Sequence, residues 1–161
     1  AGHPAGMLVC MESTLIQALR DCRSHILSRW ESLLRREQIQ TALASPDLLV
    51  RLFGGTLDAV FDRLEHSGPS LAGPLILSLE EIRAKCPCGR NPLLAYYTTA
   101  EQVLLETLMK LEAVTRQNHS TGADEVCSVI RLIAVSEIES FCSVCQYRSD
   151  RLRRVTDPLA I

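Results

Sequence analysis

Cys86 and Cys88 in Cys-Pro-Cys-Gly, and Cys142 and Cys145 in Cys-Ser-Val-Cys, are the residues whose type and spacing could do chemistry. Four thiolates form the donor set of a tetrahedral structural zinc, and the same set holds an iron–sulfur cluster. Pro87 and Gly89 give the first pair the form of a knuckle, in which two sulfurs converge and backbone amides point toward them. The second pair is spaced by three, so on a helix its side chains share one face. If the knuckle lies beside that helix, four sulfurs surround one ion. Zinc held by Cys86, Cys88, Cys142 and Cys145 is therefore expected, tying a loop to a helix and adding folding free energy. An iron–sulfur cluster or a thiol redox sensor is the alternative. The plainer alternative is that these cysteines fill the core as small hydrophobes. Cys10, Cys22 and Cys127 read as core residues of that kind.

Other chemistry is thin. No phosphate-binding Walker loop, Gly-x-Ser-x-Gly elbow or His-Glu-x-x-His helix is present, and Gln146 after Cys145 excludes the haem-attachment motif. His25 sits beside an apolar stripe and reads as a packed or surface histidine rather than a ligand. Glu137 and Glu139 are two apart and cannot form a paired acid–base site on a helix. Of Tyr96 and Tyr97, one is expected in the core and one at the surface. No catalytic residue is predicted.

The elements that must position the cysteines are helical. Leu15, Leu19, Cys22, Ile26, Trp30 and Leu33 recur at spacings of three and four, which predicts an amphipathic helix from about Met11 to Glu37. Arg20, Arg23, Arg29, Arg35 and Arg36 lie on its other faces and read as solvated. Ser45-Pro46-Asp47 opens a second helix to His66, since serine caps, proline suits the first helical position and aspartate complements the positive helix end. Gly54-Gly55 interrupts it, by close packing or by a kink. A turn-rich stretch from Gly68 to Pro74 leads to Ser78-Leu79-Glu80-Glu81, which has the form of a capping box. That short helix should end near Lys85. A fourth helix starts at Asn91-Pro92 or restarts at Thr98, and a last one runs from about Ala123 to Arg154. Arg148, Arg151, Arg153 and Arg154 suit the negative end of that helix. No segment shows sustained period-two alternation, so the expectation is an all-α, single-domain helical bundle of four long helices plus one short helix, spanning 1–161 with a flexible tail over 1–6.

Composition narrows the classes further. The chain has 161 residues with 47% hydrophobic and only 4% aromatic, so Leu, Ile, Val and Ala must build most of the core. A net charge of -2 argues against a nucleic-acid binder, and the third reading, a DNA-binding regulator, is disfavoured on that ground. No apolar run is long enough for a membrane span and the N-terminus does not read as a signal peptide. Seven cysteines, an odd number inside helical patterns, are expected to be free or metal-bound in a cytoplasmic setting.

The segment Ser24-His25-Ile26-Leu27-Ser28-Arg29-Trp30-Glu31-Ser32-Leu33 resembles the opening helix of RsbR/RsbRD-type N-terminal sensor domains of bacterial stressosome and signalling proteins, which often reads Ile-Leu-x-x-Trp. Asp47-Leu48-Leu49 through Leu57-Asp58-Ala59-Val60 is similar to the next segment of those domains, so that the resemblance lies mainly in residues 11–65. It implies a helical fold, globin-like in outline and without haem, and a non-enzymatic sensor module. Such a module would bind a metal, ligand or redox signal and pass it to a protein partner, a homodimer included. The two cysteine pairs lie outside that family's pattern and mark a metal-bearing variant.

Overall fold

The structure, a computed structural model, describes residues 13–37, 45–66, 78–86, 91–115 and 120–143. Among these residues there are seven helices and no strand. They are α1 (Ser13–Asp21), α2 (Arg23–Leu34), α3 (Pro46–Val50), α4 (Phe53–His66), α5 (Leu79–Ala84), α6 (Pro92–Thr115) and α7 (Ser120–Ser143). The fold is all-α, as the periodicity predicts.

The two long early helices each arrive in two pieces. α1 and α2 meet at Cys22, which leaves helical geometry at φ -83 and ψ 4. The ladder still crosses the bend, because the Cys22 N–H donates to both Ala18 O and Leu19 O and Cys22 O accepts from Ile26. The second predicted helix is stepped at Arg51–Leu52, before the Gly54-Gly55 pair expected to break it. There the backbone tightens to bonds from Arg51 N to Leu48 O and from Leu52 N to Leu49 O, a 3₁₀-like turn. Both glycines lie inside α4, and neither adopts a left-handed backbone. A Cβ at Gly54 would meet Arg23 Nη2 at 3.4 Å, an ordinary contact, and one at Gly55 would meet nothing. Close packing therefore explains neither.

Helix directions follow from paired contacts. Trp30 reaches Tyr96 and Thr99 while His25, five residues earlier, reaches Lys110, so α2 and α6 run antiparallel. Asn91 bonds to Ile138 and Glu101 to Arg131, so α6 and α7 also run antiparallel, and theirs is the most extensive contact between described elements. α4 packs on both α1 and α7. α1/α2, α4, α6 and α7 thus form the bundle, and the short α5 leans on α6 and α7.

The centre of the core is aromatic despite the low aromatic content. Trp30 stacks on Phe53 with ring centroids 3.9 Å apart and 5° between planes, and Tyr96 tilts against both. The indole N–H is shared between Tyr96 O and Thr99 Oγ1, each at 3.1 Å. Tyr96 and Tyr97 are both buried, at 1% and 6% exposure, against the expectation that one would face solvent. The reason is that α6 lies between α2 and α7 and buries two adjoining faces. Burial pushes the Tyr96 phenol up to about 12, although a 2.8 Å bond with Thr56 works the other way. Beside the indole is a cavity of about 10 Å³ bounded by Thr56, Leu57, Tyr97, Leu104 and Ile130. That is room for about one water and no larger ligand.

Two measurements test this packing. Trp30→Phe keeps a stacked ring but removes the indole N–H that bonds Tyr96 O and Thr99 Oγ1, and should lower urea-unfolding stability by about 1–3 kcal/mol through the lost bond and the smaller ring. Gly55→Ala should raise it by up to about 1 kcal/mol, because nothing opposes the new methyl.

Candidate thiol site at the α5–α7 contact

The element that carries Cys86 is fixed by its own sequence. Ser78 Oγ accepts the Glu81 N–H at 3.1 Å, and the Glu81 carboxylate accepts the Ser78 N–H in return, closing the capping box that Ser-Leu-Glu-Glu predicts. This reciprocal bonding with Ser78 holds the Glu81 carboxyl below its ordinary range. α5 ends at Lys85, where the sequence places its stop, and Cys86 comes next with 3% exposure.

Cys142 lies near the end of α7 with 2% exposure, in the same hydrophobic cluster as Cys86. Residues on both sides of the Cys-Pro-Cys-Gly segment hold the same stretch of α7. On one side, Lys85 Nζ is 2.8 Å from Glu139 Oε1. On the other, Asn91 Nδ2 donates to Ile138 O at 3.2 Å and to Cys142 Sγ at 3.4 Å. α5, which leads into Cys86, therefore touches α7, which carries Cys142. Cys88 and Cys145, the other members of the predicted quartet, lie outside the described residues, as does Cys10. Among the described residues no three His, Cys, Asp or Glu side chains are grouped to hold a metal ion. Arg148, Arg151, Arg153 and Arg154 also lie outside the described residues.

The remaining candidates separate cleanly. Cys22 and Cys127 are half-buried, away from the α5–α7 contact. Burial and the nearby Glu101 carboxylate push the Cys127 thiol up to about 11, so it stays protonated at neutral pH. His25 is exposed, with Nε2 3.1 Å from Lys110 Nζ. Arg36 is exposed, as expected, and the other four arginines expected to be solvated are partly solvated but also link neighbouring segments. Arg20 pairs with Glu65 and Asp62 and lies over the Phe61 ring, Arg23 spans Asp58 and Gly54 O, and Arg35 joins Glu31 to Asp47. Arg29 grips Glu106 with two bonds, and with Gln102 holds that carboxyl below its usual range. These pairs are partly solvated, and each contributes little to stability.

Two polar groups of consequence escape sequence reasoning. Glu101 and Arg131 form a two-bond pair at 2.6 and 2.8 Å with side-chain exposures of only 9% and 17%, joining α6 to α7. Nothing local marks them, because their partnership exists only once the helices pack. Asn91 was legible as a helix start, since Asn caps and Pro comes next, but its reach across to α7 was not.

No family model, no curated protein and no solved structure matches the chain. The functional reading rests on the residues themselves.

The Cys127 environment gives a pH prediction. Its folded pKa of about 11 lies above the about 8.5 of a free cysteine, so folding favours the protonated thiol. Its contribution to stability should be complete below about pH 8.5 and lost as pH rises toward 11. Alkylation of Cys127, followed by peptide mapping, should keep accelerating up to about pH 11; levelling near pH 9 would contradict this.

Proposed function

We propose that this chain is a non-enzymatic regulatory module, of the bacterial sensor type its first two helices resemble, whose responsive point is the thiol site between α5 and α7. The supporting observation is that Cys86 and Cys142 are both buried, on elements that touch, with the Asn91 amide N–H directed at the Cys142 sulfur. An N–H donor suits a sulfur that carries negative charge, and such outer contacts are the usual companions of metal-bound thiolates. In this reading Cys88 and Cys145 complete the donor set and the ion is zinc. Zinc then clamps α5 to α7, and loss of zinc or oxidation of the thiolates frees that end of the bundle for a protein partner.

The packed centre favours this corner over the core as the sensing point. The cavity beside Trp30, at about 10 Å³, leaves no space there for a haem or a small organic effector. No described helix is long and apolar enough to cross a membrane. Exposed Met109 and Val114 on the last turns of α6 offer apolar surface to a partner protein.

Elemental analysis of protein purified under reducing conditions tests the proposal. About one zinc per chain is expected, lost together with several degrees of melting temperature in Cys142→Ser. A brown preparation containing iron would move the reading to an iron–sulfur protein. If neither metal co-purifies and Cys142→Ser melts like the wild type, the thiol-site reading is wrong.

A further inference from the structure

The 17 Lys and Arg residues of the chain include only two lysines, Lys85 and Lys110. The two amines have different partners. Lys85 Nζ is ion-paired with Glu139 Oε1 at 2.8 Å. Lys110 Nζ, in the last turns of α6, lies 3.1 Å from His25 Nε2 on α2. An ammonium can only donate, so Nε2 accepts and its lone pair faces Lys110. Both side chains are exposed. They stand at an open groove lined by Arg29, Glu106, Met109, Lys110 and Ala113. Glu106 lies one turn before Lys110, but both its oxygens are taken, by Arg29 and by Gln102. Asp21, four residues before His25, is bonded to Gln17. The close polar contact of Lys110 is therefore a nitrogen base rather than a carboxylate.

We propose that Lys110 is a site of direct acylation by small acyl phosphates, with His25 as the proton acceptor. Metal binding at the thiol site plays no part in it. In its amine form, Lys110 Nζ attacks the carbonyl carbon of the acyl phosphate. As the N–C bond forms, the nitrogen becomes strongly acidic and passes a proton to His25 Nε2, 3.1 Å away. The C–O bond to the phosphate breaks, and inorganic phosphate leaves with its electron pair. The imidazolium then releases its proton to solvent. Imidazole suits this role because it accepts and returns a proton near neutral pH, whereas the carboxylate beside Lys85 is a far weaker base. The groove also suits an anionic donor, since its walls carry two cations, Arg29 and Lys110, against one carboxylate, Glu106. The product is a neutral amide. It removes a charge beside Met109, which is 68% exposed, and makes the surface offered to a protein partner more apolar.

The test incubates the full chain with acetyl phosphate under reducing conditions and follows each lysine by peptide mass mapping, with Lys85 as the internal reference. Lys110 should be acetylated about 10-fold faster than Lys85, less than the roughly 100-fold that a base in an enclosed active site contributes, because this pair is exposed. His25→Gln should bring Lys110 close to the rate of Lys85 and leave Lys85 unchanged. A pH series supplies the readout that mere positioning of the amine would not move. The ratio of the two rates should fall in the wild type from about pH 8 to about pH 5, as imidazole gains its proton, and stay flat in His25→Gln. Equal rates at the two lysines of the wild type, or an unchanged Lys110 rate in His25→Gln, would overturn the inference. If His25→Gln does not fold, the wild-type ratio decides alone, and a ratio that does not move with pH overturns the inference. None of these outcomes bears on zinc, so the thiol site stands or falls separately.

Discussion

The indole of Trp30 has one hydrogen to place and a large apolar surface to hide, and α6 helps with both. Its N–H is shared between Tyr96 O and Thr99 Oγ1, which fixes the rotation of α2 about its axis relative to α6. Its face lies on Phe53 at the beginning of α4, which fixes where that helix enters the core. A ring held on three sides leaves little freedom to the helices that hold it, and a buried indole N–H without an acceptor would cost about 1–3 kcal/mol. The alignment of α2, α4 and α6 follows from this one side chain. α7 is aligned by the buried Glu101–Arg131 pair on the other side of α6.

The polar contacts fall into two kinds with different consequences. Arg20, Arg23 and Arg35 sit in partly solvated pairs that orient neighbouring segments and contribute little stability each. Glu101 with the half-buried Arg131, and Asn91 with α7, are satisfied, and removing Arg131 would leave the buried Glu101 carboxylate without its two-bond partner. α6 carries both of the latter. It is the helix on which the bundle's specificity is concentrated, and its beginning lies at the thiol corner.

Local grammar was legible in the sequence and inter-helix grammar was not. Ser78 and Glu81 announce a capping box because both partners lie within one turn, and the structure contains it bond for bond. The end of α5 and the start of α6 follow from the same kind of signal. The bend at Cys22 has no glycine or proline to announce it, and the step at Arg51–Leu52 precedes the glycines that pointed to a break. One of the two tyrosines was expected at the surface because a helix buried on two faces looks, in its own sequence, like one buried on a single face with spare apolar residues. At the candidate site, spacing alone singles out Cys86 and Cys142. Asn91, which touches one of them, carries no mark of that contact, because its partners lie on a helix far along the chain.

The paired glycines of α4 have a consequence of their own. Neither is demanded by a neighbour or by an unusual backbone angle, so the flexibility they bring to the opening turn of that helix is not offset by any contact they permit. They come directly after Phe53, the residue that covers one face of Trp30. Transient fraying of this turn would lift Phe53 and wet the indole before the α6–α7 seam parts. A hinge so placed gives water its entrance at the middle of the bundle, where the aromatic cluster is, rather than at either end.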